Sequence, residues 1–247
     1  MVVHNTKLTQ ELKKVALSNH VDLIGVADPK VFDDMSIEDK PMDVLGDAKA
    51  VVVYGIKYRD TCCWLEESWV SQMEELLARV EKNLETFLNE KGYKAHSFLT
   101  EGNPRHHHEQ IKVMFLSTKL SSGASTFQSR EKLSKVQIRR RRLYSKLQDA
   151  AISAGLGCYG KNGVIITPEY GPYVYPAIII TNAPLKPDKP YDKNLCANCN
   201  LCVESCPTGA CTGLGHLHGE SKCRPIECRF TCHRVCYEKI QAKAAEQ

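Results

Sequence analysis

The run CANCNLCVESCPTGAC, from Cys196 to Cys211, decides how the C-terminal part of this chain folds. Cys196, Cys199 and Cys202 are spaced three apart, and Cys206 follows directly before Pro207. A tight loop with this spacing aims three thiolates at three irons of one cluster, and the proline then turns the fourth cysteine toward a neighbouring site. A zinc site or a redox dithiol is the competing reading of the same residues.

Nine of the twelve cysteines lie between Cys196 and Cys236; the others are Cys62, Cys63 and Cys158. A second cluster therefore has Cys223, Cys228, Cys232 and Cys236 to draw on. By the crossed pattern of two-cluster ferredoxins, one 4Fe–4S cluster takes Cys196, Cys199, Cys202 and Cys236, and the other takes Cys206, Cys223, Cys228 and Cys232. The second group reads C-x4-C-x3-C-x3-C with Tyr237 where a proline is usual, and its wider gaps suit a partly helical arrangement. Cys211 is left over, and is expected to be a small buried residue beside a cluster.

The 247 residues, 43% of them hydrophobic, suffice for one large domain or a domain plus a small module, and argue against global disorder. The first twenty residues carry no apolar signal segment, and no later run is long enough to cross a membrane. Clustered cysteines in such a chain point to metal binding in a reducing cytoplasm. The formal charge of +4 is not a nucleic-acid signal, because two oxidised clusters with their thiolates bring about −4 between them.

Upstream, apolar residues at Leu8, Leu12, Val15 and Ala16 predict an amphipathic helix. Leu23–Ala27 and Ala48–Tyr58 read as strands, the second one central. A helix is expected from about Trp64 to Lys91, stopped by Gly92, with a strand over Tyr93–Leu99. Another helix is expected from Ser129 to Ala154, ending at Gly155. Gly163–Thr167 and Tyr173–Thr181 read as strands about a turn at 168–172, with Pro176 marking an edge or bulge. Pro184, Pro187 and Pro190 suggest a linker. The expected organisation is an α/β domain over 1–186 and a ferredoxin-like two-cluster module with a C-terminal helix over 187–247.

Three stretches of the larger domain carry a resemblance: AGLGCYGKNG (Ala154–Gly163), IITPEYG (Ile165–Gly171) and IIITNAPL (Ile178–Leu185). Followed by the cysteine run, they resemble the cobalamin-dependent epoxyqueuosine reductases and the related reductive dehalogenases, over roughly Leu147 to Cys236. The resemblance implies a nitroreductase-like α+β sandwich that binds a corrinoid (cobalamin), docked against the cluster module. It implies a reductase in which electrons from an external ferredoxin or flavodoxin pass through the clusters to the cobalt. Gly157, Cys158, Tyr159, Gly160, Lys161 and Asn162 would then lie against the cofactor. The same glycines also read as a helix cap and a tight turn.

The chain departs from the epoxyqueuosine reductases at three points. It lacks their Asp-x-Gly-Pro motif, it has Cys158 where their tryptophan stands, and it ends without the helical-repeat extension of many members. These departures weigh against epoxyqueuosine as substrate; the expected substrate is a small molecule or a nucleoside-type compound, with a small-molecule partner favoured over tRNA. A dehalogenase-like proton donor would be Tyr144 with Arg142 as its basic neighbour; a half-buried helix residue is the plainer reading of Tyr144. The run Arg139–Arg142, the tract His106–His108 and the pair Cys62–Cys63 read most simply as a solvated helix face, an exposed loop and buried packing. Two rival functions keep the fold: a non-catalytic electron-transfer or corrinoid-reactivating protein, and a relative that holds flavin.

Overall fold

In the computed structural model, residues 4–34, 45–59, 66–97, 146–214, 223 and 228–245 are described. Tyr144, Arg142, the arginine run, the histidine tract and the Cys62–Cys63 pair lie outside them. Helix α1 (Thr6–Ser18) leads into β1 (Leu23–Ala27), β2 (Ala50–Lys57), helix α2 (Glu67–Glu90) and β3 (Ala95–Ser97). Helix α3 occupies 146–153. Two short strands, β4 (Cys158–Tyr159) and β5 (Ile165–Ile166), precede β6 (Val174–Thr181), and the chain closes with helix α4 (Thr231–Ala245).

The main sheet runs β1-β2-β6-β3, and every neighbouring pair is antiparallel. The alternation of helices and strands thus produces a mixed α/β fold whose main sheet, among the described residues, is antiparallel. Both faces are nevertheless covered, so AVVVYGI and VYPAIIIT read as unbroken apolar runs rather than alternating ones. Val52, Tyr54, Ile56, Ala177 and Ile179 face Leu8, Leu12 and Ala16 of α1 and Val80, Leu84 and Leu88 of α2. Val51, Val53, Ile178 and Ile180 face Phe32 and the α3 residues Leu147, Ala150 and Ala151. Helix α3 approaches β1 so closely that a side chain at Gly25 would strike the Ala154 carbonyl, 2.1 Å from its Cβ position.

The helix stops fall at the glycines the sequence marks. Gly92 and Gly155 have φ of +82° and +81°. Leu156 N–H reaches back to the Ala151 carbonyl and Gly155 N–H to that of Ile152, the paired bonds that close a helix through a left-handed residue.

Two expectations need amendment. Pro176 lies in a strand that β2 pairs along its whole length, opposite Gly55, while β3 reaches only Ile179–Thr181. The other side of the strand is therefore unpaired at Pro176 among the described residues, and the missing N–H costs no ladder bond there. The segment around Pro184, Pro187 and Pro190 is not a free linker. Leu185 is fully buried, Asn5 N–H donates to the Pro184 carbonyl, and Tyr191 N–H donates to the Ile152 carbonyl. Asp188 accepts from the Val26 N–H at 2.8 Å and from the Lys13 ammonium at 2.6 and 2.7 Å.

Candidate cluster and cofactor site

The stretch after α3 is a tight two-stranded turn. Cys158 pairs with Ile166 and Tyr159 with Ile165, and Gly160 N–H closes the turn on the Val164 carbonyl at 2.8 Å. A Cβ on Gly157 would sit 2.2 Å from the Ile166 carbonyl oxygen, and one on Gly160 would sit 2.4 Å from Asn162 Oδ1. The room these glycines leave is filled by the chain itself, so the packing and turn reading accounts for them. Tyr159 points outward, 41% exposed, and its hydroxyl donates to the Asp149 carboxylate.

Asn162 is different. It is 5% exposed, and neither its Nδ2 nor its Oδ1 has a hydrogen-bond partner. A buried amide left without partners costs about 1–3 kcal/mol, so a polar group supplied from outside the chain would satisfy it.

The turn is clasped to the cysteine run. Lys161 Nζ donates to the Cys199 carbonyl at 3.0 Å and to Asn200 Oδ1 at 2.7 Å. The Lys161 N–H bonds the Cys196 sulfur. The Leu195 and Cys196 N–H groups bond the Cys158 sulfur. Cys158, which stands in place of a bulky aromatic, is thus a half-buried neighbour of Cys196.

The ten described cysteines are all free thiols. Burial raises the Cys196 thiol, the Lys161 N–H opposes that, and the charges of Cys202 and Cys199 add to it. Burial, then the charges of Cys196, Cys202, Cys199 and Cys158, push Cys236 up to about 12. Burial, then the charges of Cys228, Cys223, Cys202 and Cys206, push Cys232 up to about 12. Helix α4 explains how one short segment serves both groups: Cys232 and Cys236 are one turn apart on the same side of it. Among the described residues, no group of three or more His, Cys, Asp or Glu side chains converges closely enough to hold a single metal ion.

Cys206 has a different surrounding. Burial works against its thiolate, but N–H groups of Cys211, Thr208 and Ala210 and the Thr208 hydroxyl lower its pKa overall. The Cys211 nitrogen is 3.4 Å from the sulfur and the Thr208 hydroxyl 3.7 Å. Such a ring of donors holds a thiolate ready for metal. Cys211 is buried as expected, but it does more than fill space. Its thiol shares a hydrogen bond with Cys202, which raises Cys202 and lowers Cys211, and it donates to the Lys161 carbonyl at 3.5 Å.

The aromatic anchor of α4 escaped the sequence reading. Tyr237 stacks on Tyr173 at 4.5 Å between ring centres, Tyr173 leans on Tyr58 at 5.4 Å, and Tyr58 meets Trp69 edge-on at 6.2 Å. The signal was available in the tyrosines of PEYGPYVY and in Tyr237, which replaces the expected proline after the last cysteine.

No protein-family model matches the chain. Among curated proteins, an epoxyqueuosine reductase from Listeria monocytogenes is 48% identical over 75 residues, 30% of this chain and 20% of that protein. A tetrachloroethene reductive dehalogenase from Sulfurospirillum multivorans is 45% identical over 65 residues, 25% of this chain and 13% of that one. The matched segments are thus a quarter or less of these relatives' own length. The crystal structure of an epoxyqueuosine reductase with an epoxyqueuosine-modified tRNA stem loop superposes with a TM-score of 0.60 at 25% identity, covering 93% of this chain and 64% of that one. A reductive dehalogenase structure that suggests a mechanism for B12-dependent dehalogenation shares the fold, with a TM-score of 0.53 at 17% identity over 85% of this chain and 26% of that one.

These relatives correct the expectation of a small-molecule substrate. The curated matches in the first rank are named epoxyqueuosine reductase, and one such enzyme is solved with a tRNA stem loop. The missing Asp-x-Gly-Pro motif had argued the other way, but it concerns one local position, whereas the likeness runs through most of the fold. The chain is a homologue of the epoxyqueuosine reductases and the reductive dehalogenases, both of them reductases, matched in sequence over part of its length and in fold over most of it.

Proposed function

We propose that the chain is an iron–sulfur reductase that acts on a modified nucleoside carried in tRNA, with two 4Fe–4S clusters and a corrinoid. The observation that carries the reading is the division of the thiols into two neighbouring sets. Cys236 feels Cys196, Cys202, Cys199 and Cys158, while Cys232 feels Cys228, Cys223, Cys202 and Cys206. Apart from Cys158, and from Cys202, which acts on both, these neighbours match the two sets of the crossed ferredoxin pattern. A cube presents four irons to four thiolates, so its ligands stand wider apart than those round a single ion. Burying several thiolates together is unfavourable without a cation among them, and the iron would supply it.

When bound, the clusters and the corrinoid supply single-electron transfer. The chain's own residues do the rest. The donors round Cys206 hold its thiolate, α4 brings Cys232 and Cys236 to the two sets, and Lys161 fixes the first cysteine loop to the 158–166 turn. Asn162 is the residue of that turn that would offer hydrogen bonds to the corrinoid, since its buried amide has no partner within the chain. Gly157, Cys158, Tyr159 and Gly160 shape the turn around it. Tyr144, with Arg142 near it in sequence, is the proposed proton donor. Residues 1–186 would form the nitroreductase-like cofactor domain and 187–247 the ferredoxin-like module, working in a reducing cytoplasm with a ferredoxin or flavodoxin as electron source.

Anaerobic reconstitution tests this. The expected result is about eight irons per chain, the content of two 4Fe–4S clusters, cobalamin binding that Asn162→Leu weakens, and reduction of epoxyqueuosine in a tRNA stem loop. Eight irons with neither cobalamin nor flavin bound would leave an electron-transfer protein, and a stoichiometric flavin would replace the corrinoid. Zinc in place of iron would end the proposal.

A further inference from the structure

Lys161 spends two of its three ammonium donors on the cysteine run. Its Nζ is committed to the Cys199 carbonyl at 3.0 Å and Asn200 Oδ1 at 2.7 Å. Its backbone is committed as well: the N–H bonds the Cys196 sulfur, and the carbonyl accepts from the Cys211 thiol at 3.5 Å. One residue of the turn thus touches Cys196, Cys199 and Cys211, and through Cys211 it reaches Cys202 and Cys206. The direct contacts fall on Cys196 and Cys199 of the first thiol set and on Cys211; the second set is reached only at Cys206, and only through Cys211.

We propose that Lys161 is a positioning residue that locks the 158–166 turn to the first cluster loop and, through its ammonium, holds that cluster at a higher reduction potential than its own thiolates would give. The inference rests on the two-cluster reading above. A cluster with four thiolates is already anionic, and one further electron adds to that charge. A cation held against the ligand loop stabilises the reduced state more than the oxidised one, and an N–H···S bond from the same residue acts in the same direction. The consequence is an electron path with a direction, because the cluster nearest the cofactor turn becomes the better acceptor of the pair.

The test is an anaerobic redox titration with dithionite, followed by electron paramagnetic resonance, on the reconstituted full chain and on Lys161→Gln and Lys161→Arg. In Lys161→Gln the iron content is expected to stay at the wild-type value. One of the two cluster signals should shift to lower potential by about tenfold in its reduction equilibrium, ~59 mV for one electron, while the other stays in place. Lys161→Arg, which keeps the charge and the donors, should restore the wild-type value. Unchanged potentials in Lys161→Gln, an equal shift of both signals, or an arginine variant that behaves like the glutamine would each overturn the inference while leaving the two-cluster reading intact. A wild-type chain that takes up no iron would overturn both.

Discussion

Strand β6 buries all eight of its residues, whereas α4, with fifteen, buries none. The difference separates two ways of holding a chain together. Around β2 and β6, stability comes from apolar surface removed from water on both faces of a sheet. Around α4 it comes from contacts at a few points: Cys232 and Cys236 toward the other thiols, Tyr237 on Tyr173, Ile240 near Gly171, and Gln241 donating to the Glu169 carbonyl at 3.0 Å. A segment of this size without an apolar core needs a staple, and the proposed clusters would take the place of the core.

The strongest way to break this comparison is to remove the metal. Chelation of iron from the reconstituted protein, or Cys236→Ser, should abolish amide-exchange protection across Thr231–Ala245 and leave β2 and β6 as slow as before. Protection in α4 that survives metal loss would mean that the tyrosine stack alone holds the helix. The converse experiment acts on the sheet. Ile179 is fully buried between β2 and β3, so Ile179→Ala should cost about 2–5 kcal/mol in denaturant unfolding. Iron content measured under native conditions should not change.

The sheet was the more legible region for the same reason. Runs such as VVVY and AIII, and glycines placed after periodic stretches, report burial and helix ends directly, and β1, β2, α1 and the stops at Gly92 and Gly155 follow from them. The thiol spacing pointed to a cluster module. It did not reveal Cys211 as a bridge between Cys202, Cys206 and Lys161, because that role depends on a turn 50 residues upstream. Nor did it reveal that the prolines after Ala183 strap the chain down, since Asp188 looks like any exposed carboxylate until Lys13 and the Val26 N–H are beside it. Nor did it reveal that Ile166 and Asn162 stand where side chains at Gly157 and Gly160 would lie. Local pattern carries local structure; contacts distant in sequence leave little trace in it.

Alkali sharpens the contrast in a milder way. In the metal-free protein, burial and neighbouring thiolates hold Cys232 and Cys236 at about 12, against an ordinary value near 9. The folded thiols keep their protons where the unfolded chain has lost them, so the unfolded state binds fewer protons and gains as pH rises. Stability of the α4 region is therefore expected to be full below about pH 9 and to decline toward pH 12. The metal-loaded protein, whose thiols are already deprotonated, should lack this window. Exchange rates in Thr231–Ala245 against pH, with and without iron, would show it; equal pH profiles would contradict the assigned surroundings of the two cysteines.

The smallest expected effect lies at the seam between the two regions. Asp188 is a third exposed and Lys13 about a quarter, at 33% and 27%, so their ion pair alone is worth little, roughly 0–1 kcal/mol. The carboxylate also accepts the Val26 N–H, a backbone donor of β1 that is otherwise hard to satisfy. Asp188→Asn removes the charge but keeps an oxygen for Val26, so thermal unfolding should fall by less than about 1 kcal/mol. Asp188→Ala leaves the donor without its partner and should cost about 1–3 kcal/mol. A cycle with Lys13→Gln separates the two parts. If the asparagine variant proves as unstable as the alanine, the charge pair rather than the backbone bond is what ties the strap to the sheet.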